Sequence, residues 1–237
     1  MTEPITHLTF DCYGTLIDWE QGILAAVNPL FLEHGVRGEA ETILRSFVRH
    51  EARVESLAWR PYREVLRAVL SGMAADFKIA LADSKAGLLS KSLPHWPPFS
   101  DTLEALQRLS EKYRLVIVSN TDDALFAQTQ KRLPVTFAEI ITSEQLKSYK
   151  PGKAHFQEIL RRLNVPVSQV LHVAQSLYHD HAPAGELGFQ TAWIKRPSLL
   201  ADTGLSPEAR IKPNLVFPDL LSLAAKLLDS PVGGGGT

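Results

Sequence analysis

The chain has 237 residues, a formal net charge of −1 and one cysteine. That length suits one large domain or a core with a smaller insertion, and charge this balanced excludes the basic signature of nucleic-acid or anionic-membrane binders. A lone cysteine excludes an internal disulfide framework and fits a reducing compartment. The start carries no basic segment followed by an apolar one, and no apolar run approaches the ~20 residues of a bilayer span. The expectation is a cytoplasmic protein without membrane or nucleic-acid partners.

Residues 5–10 form a largely apolar run that reads as a short buried strand. It ends at Asp11, and Gly14 then breaks the pattern. A carboxylate at the C-terminal end of a buried strand, before a glycine turn, sits where open α/β sheets bind ligands. It can serve there as nucleophile, base or metal ligand; an isolated Asp-x-x-Gly is equally an Asx-turn or helix cap. Helical spacing follows over residues 21–34, 39–57, 62–75 and 84–93, with no strand pattern between residues 17 and 93. Pro94-His-Trp-Pro-Pro98 is a loop by its proline content.

From residue 100 the pattern changes. Residues 101–112 are helical, and Leu115-Val-Ile-Val118 is a strong buried-strand signal. Weaker or shorter strands follow at 138–142, 170–174 and 190–194, with helices over 153–163 and 220–228. Strands alternating with helices of about ten residues predict a parallel, doubly wound sheet. Residues 1–17 and 96–230 are expected to form the α/β core, 18–95 an inserted helical block, and the glycine-rich 231–237 a flexible tail.

Three more stretches follow strand ends. Ser119-Asn120 can donate hydrogen bonds at a loop-to-helix junction, or simply cap that helix. Lys150, before Pro151, is either a solvated cation or a positive charge that keeps Asp11 ionised. Asp180, in His172-Val-Ala-Gln-Ser-Leu-Tyr-His-Asp180, could pair with Lys150, orient water, or cap the next helix. His172 reads as part of its strand. His179 and His181 lack the partner His or Cys that a metal site requires. Cys12 should face away from Asp11, because side chains alternate along a strand.

Asp11, Ser119, Lys150 and Asp180, in this order and each after a strand, resemble the four motifs of the haloacid dehalogenase superfamily. The match spans the core, with the helical block where that family carries its cap domain. Most members are magnesium-dependent phosphatases with a second Asp two residues after the first and an acidic metal ligand in the last motif. This chain has Tyr13 and Gln175 at those places. Hard cations want several anionic oxygens, so no metal or other cofactor is expected. The string Asp-x-Tyr-Gly-Thr-Leu instead looks like the metal-free 2-haloacid dehalogenases.

That resemblance implies SN2 attack by Asp11 on C2 of a short 2-haloalkanoate, then hydrolysis of the aspartyl ester to a 2-hydroxy acid and halide. It implies that Thr15 and Asp180 support Asp11 and Lys150, that Ser119, Asn120 and Tyr13 contact substrate, and that a cap arginine with aromatic neighbours cradles the halide. Arg49 is the first choice for that arginine, ahead of Arg53 and Arg60, with Trp19, Trp59 and Tyr62 as the aromatic wall. The chain departs from the family at Gln175-Ser176-Leu177, where an asparagine helps place the hydrolytic water; Gln175, Ser176 or Tyr178 would take over. The alternatives are cleavage of another C–X bond in a small carboxylic acid, such as fluoroacetate or a strained ring, and an atypical magnesium-dependent phosphatase. Family members are often dimers, so a homodimer is compatible with the resemblance.

Overall fold

The computed structural model describes residues 3–200 and 211–229; the glycine-rich tail expected at 231–237 lies outside them. β1 (His7–Phe10) is buried along its whole length. It leads through Asp11 into a turn where Gly14 has φ +97°, a region open to glycine and costly for residues with a Cβ. Four helices follow without an intervening strand: α1 (Trp19–Glu33), α2 (Ala40–Glu55), α3 (Tyr62–Asp76) and the short α4 (Leu88–Ser92). Residues 84–93 do not form one continuous helix as expected. A 3-10 turn (Asp83–Lys85), α4 and a second 3-10 turn (Leu93–His95) divide the stretch, with Gly87 and Pro94 at the breaks.

The remaining elements alternate. They are α5 (Thr102–Ser110), β2 (Arg114–Ser119), α6 (Asp123–Gln130), β3 (Glu139–Thr142), α7 (Ser143–Leu146), α8 (Ala154–Leu163), β4 (Val170–Ala174), a π-helical turn (Leu177–His181), α9 (Ala182–Glu186), β5 (Gln190–Ile194), β6 (Leu215–Phe217) and α10 (Leu220–Asp229). The six strands form one parallel sheet in the order β3-β2-β1-β4-β5-β6. Helices cover such a sheet on both faces, which is why Leu115 to Val118 can be apolar at every position and still be buried. β6 has no comparable signal. It is three residues long, partly exposed and at the sheet edge.

From β1 the chain winds outward through β2 and β3, then crosses back to β4 on the other side of β1. Ligand crevices form where an open sheet reverses its winding in this way, beyond the C-terminal strand ends. Asp11 follows β1 at that point, Asn120 follows β2, and residues 175–180 follow β4.

One carboxylate joins the helical block to the core. Asp122, just after β2, is almost fully buried. Its Oδ1 accepts from the backbone N–H of Tyr62 at 2.6 Å and its Oδ2 from that of Arg63 at 3.0 Å. The residue before α3 is Pro61, whose side chain cannot cap, so Asp122 caps α3 from another element. Asp122→Ala should cost about 1–2 kcal/mol of stability, the usual scale of a lost N-cap. A urea midpoint unchanged from wild type would show that the cap contributes nothing.

Candidate active site

Lys150 is the hub of the site. It is 2 % exposed, and Nζ donates to Asp11 Oδ1 at 2.8 Å, Asp180 Oδ1 at 2.7 Å and the Val118 carbonyl at 3.1 Å. An ammonium has three N–H donors, and here all three are used. Asn120 fixes the backbone from which this side chain extends. Its Oδ1 accepts from the Lys150 N–H at 2.8 Å and its Nδ2 donates to the Lys150 carbonyl at 3.2 Å.

A chain of polar contacts runs through these groups. Thr9 Oγ1 lies 2.9 Å from His172 Nδ1, and His172 Nε2 lies 3.1 Å from Asp180 Oδ1. At the other end, Thr15 Oγ1 donates to Asp11 Oδ2 at 2.7 Å and accepts from the Gln175 N–H at 2.9 Å. His172 therefore does more than complete its strand. The two strands pair Thr9 with His172 in register, so two polar residues on neighbouring buried strands were the available sequence signal. Asp180 reaches Lys150 from the π-helical turn rather than as a helix cap.

One ammonium is shared by two buried carboxylates, and they do not share it equally. Burial opposes the charge on Asp180, but Lys150 and His172 outweigh it and hold its carboxyl below the usual range. Burial dominates at Asp11, where it and the nearby Asp180 charge exceed the pull of Lys150 and Thr15, so this carboxyl is raised. Burial also disfavours the Lys150 charge, yet Asp11 and Asp180 together keep its pKa above the ordinary value. The result is a cationic lysine, an anionic Asp180 and an Asp11 more basic than a typical carboxylate.

Asp11, Lys150 and Asp180 border a cavity of about 170 Å³ between the sheet and the helical block. Ser119, Asn120, Tyr13, Gln175 and Ser176 also line it. Ser119 Oγ is buried with no hydrogen-bond partner among the described residues. The Tyr13 ring faces the cavity while its hydroxyl lies 2.9 Å from Thr129 Oγ1. Asn120 lines the cavity as expected, with its amide oxygen and one amide N–H engaged by the Lys150 backbone.

Among the described residues no arginine lines the cavity. Arg49 is mostly exposed, and its guanidinium pairs with Asp76; neither Arg53 nor Arg60 lines the cavity, nor does Trp59. Helix geometry gives the reason. At about 100° per residue, Phe47, Val48, Glu51 and Glu55 share an arc of roughly 100° that faces the cavity. Arg49 and Arg53 point the other way. Trp19 and Tyr62 line the cavity as expected, joined by Phe47 and Trp96. Trp96 packs against Gly22 of α1, where an added Cβ would lie 2.2 Å from the indole, so glycine is what admits this ring.

Sequence reasoning missed Glu51 and Glu55. The signal was an apolar stripe on α2, Leu44, Phe47 and Val48, that turns acidic as it continues through Glu51 and Glu55 at helical spacing. Arg49→Ala should leave turnover within about twofold of wild type and stability within about 0.5 kcal/mol, as for other exposed positions; a hundredfold loss of kcat/KM would return Arg49 to the site.

The family model for haloacid dehalogenase-like hydrolases matches residues 5–180. The chain belongs to the haloacid dehalogenase-like hydrolases. This hydrolase is 25% identical over 234 residues to an (S)-2-haloacid dehalogenase of Pseudomonas putida, covering 95% of this chain and 98% of the relative. It is 26% identical over 235 residues to the Escherichia coli 5-amino-6-(5-phospho-D-ribitylamino)uracil phosphatase YigB, covering 93% and 95%. Its fold matches L-2-haloacid dehalogenase from Xanthobacter autotrophicus with chloropropionic acid covalently bound, at TM-score 0.80, 19% identity and coverage of 96% and 99%. Among the described residues, no helix is long and apolar enough to cross a membrane.

Proposed function

We propose that this hydrolase cleaves a carbon–leaving-group bond at C2 of a small carboxylic acid through a covalent ester on Asp11, in the manner of 2-haloacid dehalogenases and without a metal ion. The single observation that carries the reading is that Tyr13 and Gln175 line the cavity beside Asp11, at the two places where a magnesium phosphatase carries further acidic groups. A magnesium phosphatase would use such carboxylates to hold its cation. Here Lys150 bridges Asp11 and Asp180, as the motifs shared across the superfamily imply, and Tyr13 and Gln175 offer no further anionic oxygen. What remains is a basic, oriented carboxylate facing a small cavity, which suits attack on carbon.

In the first step an Asp11 carboxylate oxygen attacks C2, the C–X bond breaks, and X leaves with the bonding pair. Thr15 and Lys150 hold the carboxylate in line, so the geometry is set before attack. In the second step water adds to the Asp11 carboxyl carbon. The ester C–O bond to Asp11 breaks, the 2-hydroxy acid leaves with a proton, and the carboxylate returns. The net change is substrate plus water giving hydroxy acid, X⁻ and H⁺. Gln175 and Ser176, which follow β4 and line the same cavity, would hold that water.

The test is a single turnover of racemic 2-chloropropionate in ¹⁸O-water containing EDTA. Chloride release with inversion at C2, label in the Asp11 peptide and unlabelled first-turnover product are the expected results. Turnover of phosphate esters that EDTA abolishes, with no chloride release, would replace this reading by the phosphatase one.

A further inference from the structure

The cavity has an electrostatic asymmetry that a simple haloacid does not explain. A 2-haloalkanoate is an anion that expels a second anion. Yet among the described residues Lys150 is the only lysine or arginine lining the cavity, and its three donors are already spent on Asp11, Asp180 and Val118. The wall contributed by α2 carries Glu51 and Glu55 instead. Neither makes an ion pair within 4 Å among the described residues. Glu51 accepts the Tyr62 hydroxyl at 2.6 Å. Such carboxyls carry a desolvation cost that a cation would offset. Their surroundings already lift Glu51 to about 7, and Glu55, burdened by burial and then by its neighbour Glu51, well above its usual value.

Two independent features indicate what would occupy the space. Trp19, Phe47, Tyr62 and Trp96 give the cavity an aromatic lining, and aromatic faces attract cations where water is excluded. On the core wall, Ser119 Oγ is fully buried, unpartnered among the described residues and part of the same lining. A buried hydroxyl without a partner is rare unless a ligand completes it. The cavity thus offers a hydroxyl donor and the nucleophile on the core wall and acceptors on the helical wall.

We propose that the substrate is zwitterionic, with a cationic nitrogen received by Glu51 and Glu55 and a carboxylate end lying toward Ser119. This deepens the reading of Asp11 as nucleophile at C2 and rests on it. The ammonium replaces the arginine charge that dehalogenase-like chemistry was expected to draw from the helical block. It also brings a counter-charge close to the departing anion.

The test compares two isosteres that differ only by ammonium against methyl: 4-amino-2-chlorobutanoate and 2-chloropentanoate. Wild-type kcat/KM should favour the ammonium compound by roughly a hundredfold or more, below the ~10⁴–10⁵ of a site whose polar groups are fully buried, because Glu51 and Glu55 are partly exposed. Glu51→Gln and Glu55→Gln, which keep shape and remove charge, should each shrink that ratio, and together bring it near one. Equal turnover of the two compounds, or preference for 2-chloropentanoate, would overturn the proposal and leave the C2 chemistry standing. Calorimetry with the stable products, 4-amino-2-hydroxybutanoate and 2-hydroxypentanoate, separates binding from chemistry. Binding of the amino compound alone, lost in the double glutamine variant, would uphold the zwitterion even if neither chloride were released. No difference in binding and no chloride release would overturn it.

Discussion

Asp11→Asn abolishes turnover, lowering kcat by about 10⁴-fold or more, the scale seen when a covalent nucleophile is removed. An amide keeps the shape of the carboxyl and its oxygen can still accept from Lys150, while its NH2 faces the Thr15 hydroxyl and cannot accept from it; the amide is a poor nucleophile toward carbon. Stability should change little. In the wild type one ammonium faces two carboxylates; in the variant Lys150 is matched by Asp180 alone, one charge against one. The melting temperature should therefore stay within a few degrees, at ~2–4 °C per kcal/mol for a chain of this size. A folded variant that retained full activity would remove Asp11 from the chemistry, along with every scheme built on an aspartyl ester.

Lys150→Met has the second largest effect, and it strikes folding and catalysis together. It leaves Asp11 and Asp180 buried without their cation, a loss expected to cost about 3–5 kcal/mol and to lower the melting temperature by roughly 10 °C. Turnover should fall about 10³-fold, since the nucleophile loses both position and charge compensation. The pH profile distinguishes this from simple unfolding. Asp11 attacks only when ionised, so the acid limb of kcat/KM follows its carboxyl, which is already raised in the wild type. Without Lys150 the limb moves to still higher pH. For stability the signs follow from linkage. Asp180, held low when folded, contributes above the unfolded carboxylate range, and that contribution is lost as pH falls through its depressed value. Lys150, held high, contributes fully below its unfolded value and is lost only as pH rises through the elevated one. Both contributions are present at neutral pH, and both vanish in the variant. Urea denaturation across pH would expose a Lys150 that points to solvent, because the midpoint would then hardly move.

The site was legible in the sequence where local chemistry announces it. Asp11 follows an apolar strand and precedes a glycine turn, and Ser119 and Asp180 also follow apolar runs, so strand ends located them without knowledge of their neighbours. Lys150 was harder. It lies eight residues past β3, and only the convergence on Asp11 and Asp180 distinguishes it from a surface cation. Asn120 was named from its strand end, but its hold on the Lys150 backbone could not be read, because that backbone lies thirty residues away. Arg49 failed for another reason. Charge chemistry suggested an arginine, whereas the rotation of α2 about its axis decides which residues face Asp11, and that rotation is set by packing of Ile43, Leu44 and Phe47. β6 escaped notice because three partly exposed edge residues carry no periodicity.

Asp122 has a consequence for motion. The carboxylate that closes the first turn of α3 belongs to the segment immediately after Ser119 and Asn120, so the helical block and the floor of the cavity are fastened by the same side chain. If α3 lifts from the sheet, its first turn loses its acceptors at that moment. Hinge and fraying would thus be one event here, and the amide protons of Tyr62 and Arg63 should exchange with solvent only through opening of the block.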